Sequence, residues 1–266
     1  MTKRFEGKVA IVTGGSRGIG AAICEKLAEE GAQIVVNYVK NAKAAETIVN
    51  KIREKRGDAF SFGGDVSDFS QVEHMVQETV EKYGRIDILV NNAGVFPHAF
   101  VEETTPEEWK KAIDINLVGT FNCCRAVIPH LKRQRRGKII NCSTISANLP
   151  DVGISAYAAA KAGINNFTRV LAAELAPYNI TVNAYAPGII ETDMVRDMIR
   201  ERGGKQLGQI VLRRFGKPEE VADLVAFLAS KKSDYITGVT IPIDGGMFIV
   251  QNPWRVREIS GHNRPS

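Results

Sequence analysis

The chain has 266 residues, 44% hydrophobic and 24% charged, with a net charge of +5. That composition belongs to an ordinary globular protein able to bury a core. No apolar run approaches the roughly 18 residues of a membrane span, and the N-terminus lacks the apolar stretch of a secretory signal, so a cytoplasmic protein with no membrane partner is expected. Cysteines at 24, 123, 124 and 142 show no CxxC spacing and read as reduced thiols, with no metal site. The basic run Lys132-Arg133-Gln134-Arg135-Arg136-Gly137-Lys138 has neither interleaved aromatics nor a nucleic-acid motif. It reads as a solvated helix end or a docking face for an acidic partner.

The predicted elements alternate along the chain. A strand at 9–12 feeds a helix over 18–30, and a strand at 33–36 feeds one over 42–55. The pattern repeats at 59–62 with 69–83, at 88–90 with 106–133 and at 138–141 with 155–177. It ends with a strand at 180–184, a helix over 218–230 and a strand at 239–243. The strands are almost continuously apolar, as strands buried on both faces are. Helical crossovers between them imply an α/β, doubly wound parallel sheet of about seven strands, a single-domain Rossmann fold over 1–246. Two segments break the pattern. Residues 191–214 read either as a lid with glycine hinges over a pocket or as a plain surface helix. The tail 247–266 keeps Phe248, Ile249, Val250 and Trp254 and is expected to pack on its own or a neighbouring subunit.

Chemistry enters at the end of the first strand, in Thr13-Gly14-Gly15-Ser16-Arg17-Gly18-Ile19-Gly20. Glycines at 14, 18 and 20 allow a tight turn and close approach to a pyrophosphate, and the helix N-terminus behind them offers free N–H groups. Further on, Tyr157 and Lys161 are four residues apart and share a helix face. A phenol titrates near 10, and an adjacent ammonium would favour its phenolate form. Each feature alone has a plain structural explanation, a turn in one case and surface packing in the other.

Together they resemble the short-chain dehydrogenase/reductase family over residues 5–246. The matching pieces are the glycine loop, Asp65-Val66, Asn91-Asn92-Ala93-Gly94, Asn116, Tyr157/Lys161 and Pro187-Gly188. The resemblance implies an NAD(P)(H)-dependent oxidoreductase that interconverts a carbonyl and an alcohol by hydride transfer. In it Tyr157 is the general acid/base, Lys161 holds the nicotinamide ribose and depresses the tyrosine pKa, and Asn116 anchors a water path for the proton. Gly14, Ser16, Arg17, Gly18, Ile19 and Gly20 would cradle the pyrophosphate. Asn37 and Tyr38 would lie at the adenosine ribose, and Asp65 and Val66 at the adenine. Asn92, Ala93 and Gly94 would line the cofactor, and Pro187, Gly188, Ile190 and Thr192 would grip its nicotinamide end.

The second strand ends Asn37-Tyr38-Val39-Lys40 without the carboxylate that grips an NAD ribose, while Arg17 and Lys40 can meet a 2′-phosphate. NADP(H) is therefore the expected cofactor, with NAD(H) tolerated by neutral Asn37. The family's orienting serine, thirteen residues before the tyrosine, falls on Thr144, with Ser143 the alternative. His98, Asn148, Asp151 and Glu191 hint at a sugar, polyol or small hydroxy-ketone. The alternative is a 3-oxoacyl-carrier reductase, which fits the basic run, although Tyr178 stands where a second docking arginine is sought. A scaffold without catalysis would have lost Tyr157, Lys161 or Asn116, and all three are present. The resemblance and the apolar helix around 106–133 imply a homotetramer.

Overall fold

β1 (Val9–Val12) and β2 (Gln33–Tyr38) pair in parallel, β1 through four consecutive buried apolar residues. The computed structural model describes residues 3–247, 249 and 250. The remaining strands are β3 (Ala59–Gly63), β4 (Ile88–Asn91), β5 (Gly137–Cys142), β6 (Ile180–Pro187) and β7 (Thr240–Ile243), in the order β3-β2-β1-β4-β5-β6-β7. Every pairing is parallel. One face is covered by α1 (Gly18–Glu29), α2 (Ala42–Glu54) and α8 (Pro218–Ala229), whose Ile23, Leu27, Ile48 and Val225 meet Val12, Val36, Val90 and Tyr185. The other carries α3 (Phe69–Tyr83), α5 (Gly119–Gln134) and α6 (Ser155–Leu175), where Val72, Val127, Leu131 and Leu171 meet Ile11, Val35, Leu89 and Ile139. This is the doubly wound α/β sheet expected from the strand-helix alternation. Strand order reverses between β1 and β4, which opens a crevice at the strands' carboxyl ends.

The segment 106–133 is not one regular helix. Thr105 and Glu108 form a capping box at the start of α4 (Pro106–Ile113), and a π-helical turn, Asp114–Val118, joins it to α5. The cause is local. The Asn116 amide donates to the Ala112 carbonyl at 2.9 Å, and the Gly119 N–H reaches five residues back to Asp114. The 191–214 segment contains α7 (Arg196–Gln209). Phe248 and Trp254 lie outside the described residues, whereas Ile249 and Val250 are exposed. No helix among the described residues is long and apolar enough to cross a membrane.

Candidate active site

The glycine loop turns where side chains would collide. Gly14 and Gly18 have φ of +62° and +54°, and a Cβ on Gly20 would lie 2.2 Å from the Gly14 carbonyl oxygen. No side chain caps the N-terminus of α1, which leaves its first N–H groups to a ligand. That bare cradle fits a dinucleotide's pyrophosphate. Ser16 and Ile19 are half-buried and Arg17 is exposed. Thr192 lies against Gly18, its methyl 3.2 Å from where a Cβ would sit.

Two side chains hold this loop from opposite sides. The Asn92 amide donates to the Thr13 and Gly14 carbonyls at 3.0 and 3.1 Å. On the other side Asn37 Oδ1 accepts from the Gly14 N–H at 3.3 Å, and its Nδ2 donates to the Gly64 carbonyl at 2.9 Å. Asn37 is buried and turned into the protein, so its side chain does not face the ribose position expected for it. Tyr38, next in the strand, is half-buried with its ring beside Gly63. Asp65 accepts from Ser67 N–H and Oγ at 2.9 and 2.7 Å, and Val66 packs against Gly119. Thr13 was not singled out from the sequence, yet its Oγ1 accepts from both the Asn92 and Ala93 N–H groups at 3.0 Å. A threonine at the end of a buried strand, just before a glycine turn, was the available signal.

At the crevice floor α6 carries Tyr157 and Lys161 one turn apart, with Lys161 Nζ 5.7 Å from the Tyr157 ring centre. Lys161 Nζ donates to the Cys142 carbonyl at 2.6 Å. Thr144 lies beside the Tyr157 phenol and favours its ionised form, and its Oγ1 accepts from the Ser146 N–H at 3.3 Å, whereas Ser143 Oγ turns away to the Lys161 carbonyl at 3.5 Å. Strand alternation separates the two hydroxyls. Asn116 is clamped by Val95, accepting from its N–H at 3.2 Å and donating to its carbonyl at 3.0 Å, and its Oδ1 lies 2.6 Å from where a Gly94 Cβ would sit. Phe96, unremarked in the sequence, packs edge-on against Tyr157 at 4.8 Å.

The electrostatics depart from the sequence expectation. Burial pushes the Tyr157 phenol well above its ordinary value, nearby Cys142 adds to the rise, and Thr144 pulls it back only in part. Burial also lowers the Lys161 ammonium. Both shifts favour the neutral form of each group over the phenolate expected from the sequence.

Around the mouth, His98, Asn148, Asp151 and Glu191 are all exposed. His98 stacks on Gly153, and Asp151 accepts from its neighbour's N–H. None of the four reaches Tyr157 in the contacts that the site makes. The apolar Phe100, Leu149, Val152 and Met194 are exposed on the same loops and on the start of the lid segment. Pro187 and Gly188 end β6 against β7, where a Cβ on Gly188 would meet Asp244 at 2.8 Å. The Ile190 side chain is buried in the core, leaving only its backbone for a ligand.

A seven-stranded parallel sheet, a glycine loop ahead of α1 and a Tyr-Lys pair beside a strand-end hydroxyl define a nicotinamide-dependent oxidoreductase, and the chain belongs to the short-chain dehydrogenase/reductase family. A family model described as "Enoyl-(Acyl carrier protein) reductase" matches residues 14–248. Among named relatives, 3-oxoacyl-[acyl-carrier-protein] reductase FabG of Staphylococcus aureus is 44% identical over 242 residues, spanning 91% of this chain and 98% of the relative. The enzyme of the same name from Thermotoga maritima is 41% identical over 92% of this chain and its own full length. Among solved structures, a short-chain dehydrogenase from Burkholderia cenocepacia in complex with NADP superimposes with a TM-score of 0.85 at 35% identity, covering 91% of this chain and 98% of that one.

Proposed function

We propose that this oxidoreductase reduces 3-oxoacyl thioesters to 3-hydroxyacyl thioesters with NADPH. The observation that carries the reading is 44% identity across almost the whole length of a 3-oxoacyl-carrier-protein reductase. The exposed apolar residues at the mouth suit an acyl chain better than a sugar, whose hydroxyls would want the polar groups that here face solvent.

A nicotinamide held in this crevice would supply hydride chemistry. Tyr157, kept protonated by burial, gives its proton to the carbonyl oxygen as charge develops there. Thr144 would orient that oxygen, Lys161 would hold the ribose hydroxyls, and Asn116 would anchor a water path that returns the proton. The glycine loop and the N-terminus of α1 would hold the pyrophosphate, with Asp65 and Val66 toward the adenine and Ala93, Gly94, Pro187, Gly188 and Thr192 toward the nicotinamide half. Arg17 in the glycine loop and Lys40 just past β2 are both exposed, and their charges favour a 2′-phosphate and so NADP(H) over NAD(H).

An acidic carrier protein would dock on the basic surface near α5. There Lys132 stacks over Tyr178 at 4.5 Å and Arg135 bonds the Pro177 carbonyl at 3.1 Å. Subunits would pair through α5 and α6 into a tetramer.

The test is NADPH consumption with an acetoacetyl thioester on coenzyme A and on acyl carrier protein, beside a panel of sugars and polyols. The reading expects turnover of both thioesters, with Arg135→Glu raising KM for the carrier-bound form alone. Turnover confined to sugars or polyols overturns it.

A further inference from the structure

Tyr185 stands opposite Cys142 in the parallel register of β6 and β5 and is fully buried, at 0% exposure. In-register neighbours share a sheet face, and this face packs toward α1 and α8. A buried phenol needs a partner. The Tyr185 hydroxyl donates to Asn92 Oδ1 at 3.1 Å, while the other end of the same amide donates to the Thr13 and Gly14 carbonyls. On its far side the hydroxyl neighbours the Cys142 thiol, and the Cys142 carbonyl is the group that accepts from Lys161 Nζ. One chain of contacts thus runs from Lys161 through Cys142, Tyr185 and Asn92 to Gly14. It joins the catalytic lysine to the turn that would hold the pyrophosphate.

We propose that Tyr185 is a positioning residue for the dinucleotide, its hydroxyl fixing the Asn92 amide and through it the glycine loop. The inference rests on reading the crevice as an NAD(P)(H) site. Packing alone does not call for a hydroxyl here, because a phenylalanine would fill the same space. What phenylalanine cannot do is donate to Asn92 Oδ1, and the released amide would then be free to rotate away from the Thr13 and Gly14 carbonyls. Gly14 is packed close to both Asn92 and Ala93, where an added Cβ would lie 3.2 Å from Asn92 Nδ2 and 3.0 Å from Ala93 Cα.

The experiment is fluorescence titration of NADPH into the wild-type protein, Tyr185→Phe, Asn92→Ser and the double variant, with thermal melts as a check on folding. Calorimetry with adenosine 2′-monophosphate, which lacks the pyrophosphate, runs beside it. Tyr185→Phe is expected to weaken NADPH binding on the order of tenfold, the effect of leaving one buried acceptor unpaired. Its kcat at saturating NADPH should stay close to wild type, and its affinity for adenosine 2′-monophosphate, whose phosphate would meet Arg17 of the same loop, should fall much less than its affinity for NADPH. In the Asn92→Ser background, adding Tyr185→Phe should change NADPH affinity little, because the two residues act through one bond. A folded Tyr185→Phe with wild-type NADPH affinity overturns the proposal. So does equal weakening of both ligands, or full additivity in the double variant. A wild-type protein that binds no NADPH overturns the site reading instead.

Discussion

At Tyr157 the direction of proton flow follows from burial. The phenol is raised, so the acid form needed for reduction persists through neutral pH and is lost only as pH climbs toward its raised pKa. Oxidation needs the conjugate base and gains as pH rises. Initial rates between pH 6 and 10 should therefore show a flat reduction limb and an oxidation limb that rises as pH climbs. A reduction rate already falling near pH 6 to 7 would mean that the bound protein holds a phenolate. Thr144 and Ser143 make a second contrast at this scale. Removing one donor that orients a reacting oxygen costs about 100-fold in turnover. Thr144→Ala should lose about that much kcat, Thr144→Ser should recover most of it, and Ser143→Ala should act mainly on stability through its contact with the α6 backbone. The thirteen-residue offset from Tyr157 made Thr144 legible in the sequence. The orientation of Asn37 was not, because the hydrogen bonds that bury its amide come from residues 14 and 64, which only folding brings together.

Among the elements, strands and helices were legible because their apolar periods differ, and the boundaries of α3 agree with the predicted 69–83. The π-helical turn escaped. A one-residue widening leaves the apolar pattern almost unchanged, and its cause is a single amide on one carbonyl. A sequence of elements also hides what fastens their ends. Between α3 and β4, Asp87 is buried and accepts from Lys8 Nζ at 2.8 Å, from Arg85 Nε and Nη2 at 2.7 and 2.6 Å, and from the Val9 N–H at 3.1 Å. Burial alone would raise this carboxyl, but Arg85, Lys8 and the Val9 N–H outweigh it and hold it below its ordinary value. Its stabilisation is therefore present above the unfolded carboxylate range and is lost as pH falls through the lowered folded pKa. Asp87→Ala should destabilise the protein by about 2 kcal/mol in urea unfolding at pH 7, with the difference from wild type shrinking in acid. A difference that stays constant down to pH 3 would assign the loss to packing.

For the whole molecule, the assembly is the testable quantity. On the outer sides of α5 and α6, Phe121 and Val170 are exposed at 43% and 57%, and Phe121 packs edge-on with Phe167 at 6.3 Å. Apolar groups clustered on two adjacent helices suit a self-complementary contact between copies. Light scattering of the wild-type protein should report a tetramer, and Phe121→Glu with Val170→Glu should yield smaller species that remain folded. A monomeric wild-type protein at micromolar concentration would remove the tetramer from the reading. No pattern along one chain encodes which exposed side chains meet a second copy, so the resemblance and the apolar helix around 106–133 could point to a tetramer but not to its contacts.

The strand order also constrains how the chain reaches its native state. β1 lies between β2 and β4, and Ala10 pairs with Ile88 across most of the first third of the chain. Such a closure must be completed before its contacts repay the lost chain entropy, which slows folding. During synthesis the glycine loop emerges early, but Asn92 and later Tyr185, the side chains that brace it, emerge well after. A nascent chain therefore carries the glycine loop without these braces until the sixth strand docks, and a nucleotide that needs the braced loop should be bound only late in folding.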